Sequence, residues 1–351
     1  MAIYSIWNNK GGVGKSYLTF QIASEYAINH PDKKILVIDL CPQGNASGML
    51  LGGMQEGERV LNELSSQAPR RTISGYIEDR ILSPYVNPHT GSSYLLKVSD
   101  RNAEVPENLF LITGDEQLEI QASRVLGATA PGPTDAWRIV HTWMSDLIED
   151  IQRSWNQQDT TVFIDCNPSF SIYTELALSA SDRLIIPFSA DGSSKRAVRA
   201  VLALLYGITR ASGSMQSQFY LNSQQFRLPI PKIYCYIGNR LTQYVRSASA
   251  FRTVVHEIGN EIWSVWQNNP NIFHIHPAGS GIPTNRSAFN RMFQYEIVDA
   301  NTASVVSSSL GIPMVRLTSG SRVVAGRSVM VNQSQLDNQQ PNIRDLVIAI
   351  E

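Results

Sequence analysis

The sequence has few cysteines, almost no net charge and no long apolar run. The three cysteines are far apart and form no CxxC pair, which argues against a disulfide scaffold or a structural metal site; they are Cys41, Cys166 and Cys235. With 29 basic and 30 acidic residues, only a local basic patch could bind a polyanion. No apolar run approaches the roughly 20 residues that span a bilayer. We therefore expect a cytoplasmic protein.

Strand-like and helix-like patterns alternate along the chain. This alternation is typical of an α/β fold with a doubly wound, mostly parallel sheet flanked by helices. We predict one domain over residues 1–351, with an insertion at about 54–134 and an elaborated C-terminal part at about 247–351. Strands are predicted at 3–7, 33–40, 108–115, 160–169, 182–190, 231–240 and 312–317, and long helices at 136–155 and 247–267.

The segment IWNNKGGVGKSYLTF, residues 6–20, joins the first strand pattern to a helical pattern. Its glycines allow backbone N–H groups to converge on phosphate oxygens, and the helix adds its positive N-terminal end. Lys15 is placed to reach the β- and γ-phosphates, and the Ser16 hydroxyl is the expected Mg²⁺ ligand. A strict phosphate loop would have glycine at Asn9. A glycine-rich turn with incidental lysines is the alternative interpretation.

Lys10 is a second cation on this loop and could reach a nucleotide held by another subunit. The run KGGVGKS resembles the ParA/MinD group of ATPases, which have a deviant Walker A P-loop, and ParA (Soj-like) partition ATPases most of all. Residues 38–48 and 162–191 resemble the second and third motifs of that family. The resemblance implies ATP and Mg²⁺ as cofactors. It also implies a nucleotide-binding loop of Lys10, Gly11, Gly12, Val13, Gly14, Lys15, Ser16 and Tyr17.

Two carboxylates follow apolar strands. Asp165 could hold a water of the Mg²⁺ shell opposite Ser16, and Asp39 is a second candidate for the outer shell. Either residue could instead be a helix cap or a turn residue. Metal-site candidates are thus Ser16, Asp39 and Asp165.

Cys41 stands where relatives carry the aspartate that orients or activates the attacking water. A neutral thiol is a poor substitute for a carboxylate. Either hydrolysis is slow, or Asp39 or Gln43 takes over. The catalytic candidates implied by the resemblance are Lys10, Lys15, Asp39 and Cys41.

Three further residues concern nucleotide affinity. Tyr17 replaces a threonine whose hydroxyl contacts the α-phosphate in relatives. By the same resemblance, Asn239 would read adenine, and Pro313 with the loop at 317–321 would close over the base. Asn239 could equally cap the next turn.

The resemblance implies an ATP-dependent homodimer that binds DNA non-specifically and is associated with the nucleoid. Together with a ParB-like or adaptor protein it would partition plasmid, chromosome or other cargo. No membrane contact is expected. Alternatives are an ATP-binding scaffold with little or no hydrolysis, and a metabolic enzyme resembling dethiobiotin synthetase. Ten arginines are candidates for DNA contacts: Arg196, Arg199, Arg240, Arg246, Arg252, Arg286, Arg291, Arg316, Arg322 and Arg327.

Overall fold

The computed structural model describes residues 1–130, 132–209, 215–241 and 245–351, without the side chains of 240–251. Its strands are β1 Ala2–Ile6, β2 Lys34–Asp39, β3 Leu96–Lys97, β4 Leu109–Ile112, β5 Thr160–Asp165, β6 Arg183–Ser189, β7 Lys232–Leu241, β8 Gln294–Val298, β9 Gly320–Val324 and β10 Arg327–Val331. Eight of them form one sheet in the order β3-β4-β2-β5-β1-β6-β7-β8. Only the β3–β4 pair in this sheet is antiparallel. The predicted fold class is confirmed.

Helices cover both faces of the sheet. They are α1 Lys15–Asn29, α2 Asn45–Leu50, α3 Gly53–Ser65, α4 Ile73–Leu82, α5 Gln117–Thr129, α6 Ala136–His141, α7 Trp143–Ser154, α8 Ile172–Ala180, α9 Ser194–Tyr206, α10 Gln218–Gln225, α11 Val245–Asn268, α12 Arg286–Phe293, α13 Thr302–Leu310 and α14 Gln333–Ile348. Among the helices in the described ranges, none is both long and apolar enough to cross a bilayer.

Two apolar cores lie on opposite faces of the sheet because successive strand side chains point in opposite directions. Along β1 and β5, Ile3 and Val162 enter one core, whereas Tyr4 and Phe163 enter the other. Nearly every residue of the central strands is therefore buried, as in parallel sheets covered by helices on both sides. The carboxyl ends of β1, β2 and β5 consequently meet at one edge.

The prediction of a strand at 312–317 is wrong. Met314–Arg316 form a 3-10 turn instead, because the backbone N–H groups of Arg316 and Leu317 both donate to the carbonyl of Pro313. The apolar residues in this run are buried by packing and not by strand pairing. The sequence reading also missed the β9–β10 hairpin and α14, which follow this turn.

One other segment differs from its sequence-based description, and a predicted strand lies within the predicted insertion. The helix predicted at 136–155 is divided into α6 and α7 at Thr142, whose hydroxyl donates to the carbonyl of Ile139. The region 54–134, predicted as an insertion, contributes β4, which pairs with β2 inside the sheet. The division into one domain with an insertion stays a prediction.

Substitution of Gly57 tests how closely α2 packs against α3. A Cβ at this position would lie 2.2 Å from the carbonyl oxygen of Gly48. We expect Gly57→Ala to lower the free energy of unfolding by about 1–3 kcal/mol, because the two helices must separate. Gly127 lies on the exposed side of α5 with no atom within 4 Å of its added Cβ, so Gly127→Ala should raise stability by about 1 kcal/mol. Urea unfolding measures both, and equal effects would contradict the packing argument.

Candidate functional site

The loop between β1 and α1 approaches the sheet edge as a tight backbone turn. Gly12 and Gly14 have φ values of 75° and 83°, in the left-handed region where glycine is favoured. The side chain of Asn8 is buried and donates from Nδ2 to the carbonyl of Pro187 at 2.7 Å. The loop is therefore anchored at its entry to β6 and ends on the N-terminus of α1, where an anion is favoured.

A cavity of about 500 Å³ opens above this loop. This volume lies within the range of small-molecule sites. Ser16 and Tyr17 line it from α1, and Gln43 from the segment after β2. Glu58 and Ser308 line it from α3 and α13. The cavity is thus bounded by the phosphate-type loop on one side and by α3 and α13 on the other.

Lys15 lies folded back over the loop and is only 6% exposed. Its Nζ donates to the carbonyl oxygens of Lys10 at 2.8 Å and Asn8 at 3.4 Å. Burial lowers the pKa of Lys15, and the nearby Asp165 and two cysteines oppose that shift. The ammonium is therefore held by weak acceptors that a phosphate could replace.

Asp39 and Asp165 are paired across β2 and β5 and are fully buried. Asp39 accepts three hydrogen bonds, from the backbone N–H of Cys41 at 3.0 Å and from the N–H and hydroxyl of Ser47 at 2.9 and 2.8 Å. Both of its oxygens are engaged in holding the segment that follows β2. Its predicted role in the outer metal shell stays a prediction.

Asp165 differs because one oxygen has no partner. Its Oδ1 accepts from the hydroxyl of Thr19 at 3.2 Å, whereas Oδ2 is buried without a hydrogen bond. Burial and the neighbouring Asp39 raise the pKa of Asp165, while Ser16, Lys15 and Thr19 lower it. An orphaned carboxylate oxygen beside a serine hydroxyl suits a hydrated Mg²⁺ ion, so Ser16 and Asp165 fit the predicted metal site.

Cys41 lines the cavity and is 4% exposed. Burial, together with the negative charges of Asp39 and Asp165, raises the pKa of this thiol to about 12. The group is therefore neutral at physiological pH and cannot accept a proton from water as a carboxylate would.

Lys10 points away from the loop toward β6 and α9 of its own chain. Its Nζ forms an ion pair with Asp191 and lies 3.1 and 3.3 Å from the hydroxyls of Ser189 and Ser194. Partial burial acts to raise the pKa of Asp191, but hydrogen bonds from Lys10, Ser189 and Ser193 outweigh it and hold the pKa far below its usual range. The predicted contact of Lys10 with a second subunit stays a prediction.

The remaining predicted residues have contacts that the sequence did not indicate. Asn239 donates from Nδ2 to the carbonyl of Val13 at 2.8 Å. Pro313 starts the 3-10 turn and is buried. Neither lines the cavity in the described part of the chain, and their contacts with adenine stay predictions. Gly11 has open space around its Cα. Tyr17 donates its hydroxyl to Gln339 of α14 at 2.6 Å.

Sequence reasoning missed the partners that hold these groups. Ser47 lies eight residues after Asp39 in the second motif, and Asp191 follows the end of β6. The strand-end position of Asp191 was a usable signal, since it matches the positions of Asp39 and Asp165. Nothing local in the sequence indicated that Thr19 faces Asp165.

Comparison with known proteins agrees with this geometry. Residues 1–219, more than half of the chain, match the AAA domain family. The chromosome partitioning protein ParA of Caulobacter vibrioides is 27% identical over 219 residues. The chain belongs to the ParA-type P-loop ATPases. The recognition made from the sequence motifs is thus confirmed.

The ParA-type chain aligns with only part of its curated relatives. The Caulobacter match covers 61% of this chain and 65% of that protein. An uncharacterized protein of Pseudomonas putida is 27% identical over 192 residues, which are 54% of this chain and 56% of that protein. This ParA-type chain therefore spans less than two thirds of the length of these relatives.

Solved ParA-type structures share the fold. An ATP complex of Cyanothece McdA has a TM-score of 0.57 and 14% identity, covering 100% of this chain and 98% of that one. The structure of pnob8 ParA has a TM-score of 0.51 and 17% identity, covering 84% and 80%. At these identities the likeness concerns the fold alone.

Asp165→Asn tests the metal assignment. We expect the variant to be more stable without nucleotide, by about 1 kcal/mol or more, because burial beside Asp39 raises the pKa of the Asp165 carboxyl, and an uncharged amide avoids the free-energy cost of that shift at neutral pH. The same change should abolish the tightening of ATP binding by Mg²⁺. Thermal unfolding and calorimetric titration with and without Mg²⁺ measure the two effects. Unchanged Mg²⁺ dependence would contradict the assignment of Asp165.

Proposed function

We propose that this protein is a ParA-like ATPase whose ATP-bound form is a sandwich dimer. The dimer binds DNA non-specifically and positions plasmid, chromosome or other cargo together with a ParB-like or adaptor protein. The observation that carries this proposal is that two lysines on one loop point in different directions. Lys15 lies over the loop beside the cavity, whereas Lys10 points away from the loop and pairs with Asp191.

The loop supplies the means of holding a triphosphate. Gly12 and Gly14 line the cavity next to the N-terminus of α1, and a glycine loop followed by a helix N-terminus favours phosphate. The Lys15 ammonium exchanges loop carbonyls for phosphate oxygens. A Mg²⁺ ion held by Ser16 and Asp165 would neutralise phosphate charge when bound. Binding of ATP with Mg²⁺ would therefore give the buried charges of Asp165 and Lys15 more partners of opposite charge than they have without it.

Slow hydrolysis is the expected behaviour of this site. The Cys41 thiol, with a pKa of about 12, is neutral, and the oxygens of Asp39 are occupied by three donors. Gln43 lines the cavity and can orient a water but cannot take its proton. The chain's own residues thus favour long-lived ATP binding over rapid turnover. A nucleotide-dependent switch that hydrolyses little ATP is therefore a second candidate function.

Lys10→Ala tests the cross-subunit role. We expect loss of ATP-dependent dimerisation with normal monomer folding, because the outward cation that would reach the second nucleotide is removed. Light-scattering mass with a slowly hydrolysed ATP analogue measures the result. Lys195→Ala is the matched control, since Lys195 is also ion-paired, at 2.8 Å from Glu257. A Lys10→Ala protein that still dimerises would show that Lys10 has no such role.

Cys41→Asp tests the cause of slow hydrolysis. Restoring a carboxylate beside the cavity should increase ATP turnover at least about tenfold, equivalent to a barrier lower by about 1.4 kcal/mol. Cys41→Asn has nearly the same shape without the charge and should remain at the parent rate. Phosphate release assays measure both. If the parent protein already turns over as fast as Cys41→Asp, the thiol does not limit hydrolysis.

A further inference from the structure

The segment 316–331, which we call the arginine hairpin, comprises the end of the 3-10 turn and the strands β9 and β10. We propose that the arginine hairpin is the surface that contacts the phosphate backbone of double-stranded DNA. The inference rests on the DNA binding proposed above and assigns it to particular side chains.

The first observation is the absence of acidic residues from the sequence of the hairpin and of the segments directly before and after it. Between Asp299 and Asp337 the only charged residues are Arg316, Arg322 and Arg327. The helix against which the hairpin packs, α13, has the sequence TASVVSSSL and no charge at all. In a chain of net charge -1, this stretch is a local basic surface of the kind that binds polyanions.

The second observation is that these arginines are not neutralised. In the described part of the chain none of the three forms an ion pair with a carboxylate, and Arg322 donates instead to the hydroxyl of Thr318 at 2.7 Å. Two exposed arginines elsewhere differ: Arg124 and Arg153 each donate to a glutamate at 2.7 Å. A guanidinium without a carboxylate partner is free to form a bidentate contact with phosphate.

The structure also reduces the set of ten arginines that the sequence offers as candidate DNA contacts. Arg199 is paired with Glu261 at 3.0 Å. Arg252 is on the same helix as Glu261 and Glu257, whose charges oppose a phosphate. The side chains of Arg240 and Arg246 lie outside the described residues. The arginine hairpin is thus a basic segment with no carboxylate on its own strands or on α13.

The shape of the hairpin suits a duplex. In β9 and β10, Ser321 faces Met330 and Val323 faces Ser328 across the strands. All four side chains are exposed, and the two hydroxyls are 2.7 Å apart. Arg322 and Arg327 alternate with these residues and pair with Val329 and Val324, so they lie on the other side of the ribbon.

A two-stranded ribbon can enter the major groove. There, the arginines on one side of the ribbon and the serine hydroxyls on the other can contact phosphates. A surface extended in this way favours DNA over free phosphate.

One helix connects the hairpin to the nucleotide cavity. α13 packs against both β9 and β10, and its Ser308 lines the cavity. The other side of α13 contacts α3 so closely that a Cβ on Gly53 would lie 2.2 Å from the carbonyl oxygen of Ser309. A change in the cavity that moves α13 would therefore move the hairpin, which favours DNA binding that depends on the bound nucleotide.

The test compares two double variants of the full chain. In Arg322→Ala/Arg327→Ala the hairpin loses two cations, and in Arg124→Ala/Arg153→Ala the same charge is removed from paired arginines. Affinity for a random-sequence duplex is measured by fluorescence anisotropy over a salt series, with a slowly hydrolysed ATP analogue. The hairpin variant should bind at least about tenfold more weakly at 0.1 M salt, with a shallower dependence on salt, because each lost phosphate contact removes about 0.9 from the slope. The control variant should match the parent protein.

The outcomes separate the two proposals. If the parent binds DNA and the hairpin variant binds equally well, the surface is elsewhere and this inference is overturned while the proposed function stands. If the parent binds no DNA in any nucleotide state, both fail. Arg322→Lys/Arg327→Lys should retain most of the affinity, and ATP binding by every variant confirms folding. Binding to phosphatidylglycerol vesicles without binding to DNA would assign the hairpin to lipid and overturn the DNA assignment.

Discussion

Two carboxylates at the ends of neighbouring strands are the constraint around which the site is arranged. The parallel register of β2 and β5 places Asp39 beside Asp165, and both side chains are fully buried. Like charges at this separation destabilise each other unless each is compensated. Asp39 is compensated by the N–H groups and hydroxyl that shape the segment after β2. The charge of Asp165 is partly compensated by Lys15, and one of its oxygens has no hydrogen-bond partner, which is the feature that suits the proposed Mg²⁺ ion.

This arrangement explains how binding and chemistry can be separated in one cavity. The proposed nucleotide-holding groups are the loop backbone and Lys15, which lie beside the cavity. Cys41, the candidate for the group that would act on water, is a buried neutral thiol. The proposed function therefore combines nucleotide binding with slow hydrolysis.

The sequence predicted the site where the chemistry is local, and it failed where contacts are distant. The loop and Ser16 could be predicted because a strand, a glycine-rich segment and a helix follow one another in the sequence. The strand-end carboxylates could be predicted because parallel strands bring their carboxyl ends to one edge of the sheet. The ion pair of Lys10 with Asp191 joins residues 181 positions apart, and no periodicity encodes it. The run at 312–317 was misread because its apolar residues give a strand-like pattern, whereas the hydrogen bonds to the Pro313 carbonyl decide its shape.

The hydrogen bond between Tyr17 and Gln339 joins residues 322 positions apart. It links the first turn of the phosphate-loop helix to the last helix of the described chain. During synthesis, α1 therefore lacks this partner until α14 has left the ribosome. A growing chain that already contains the loop, β2 and β5 would still have the first turn of α1 without this contact.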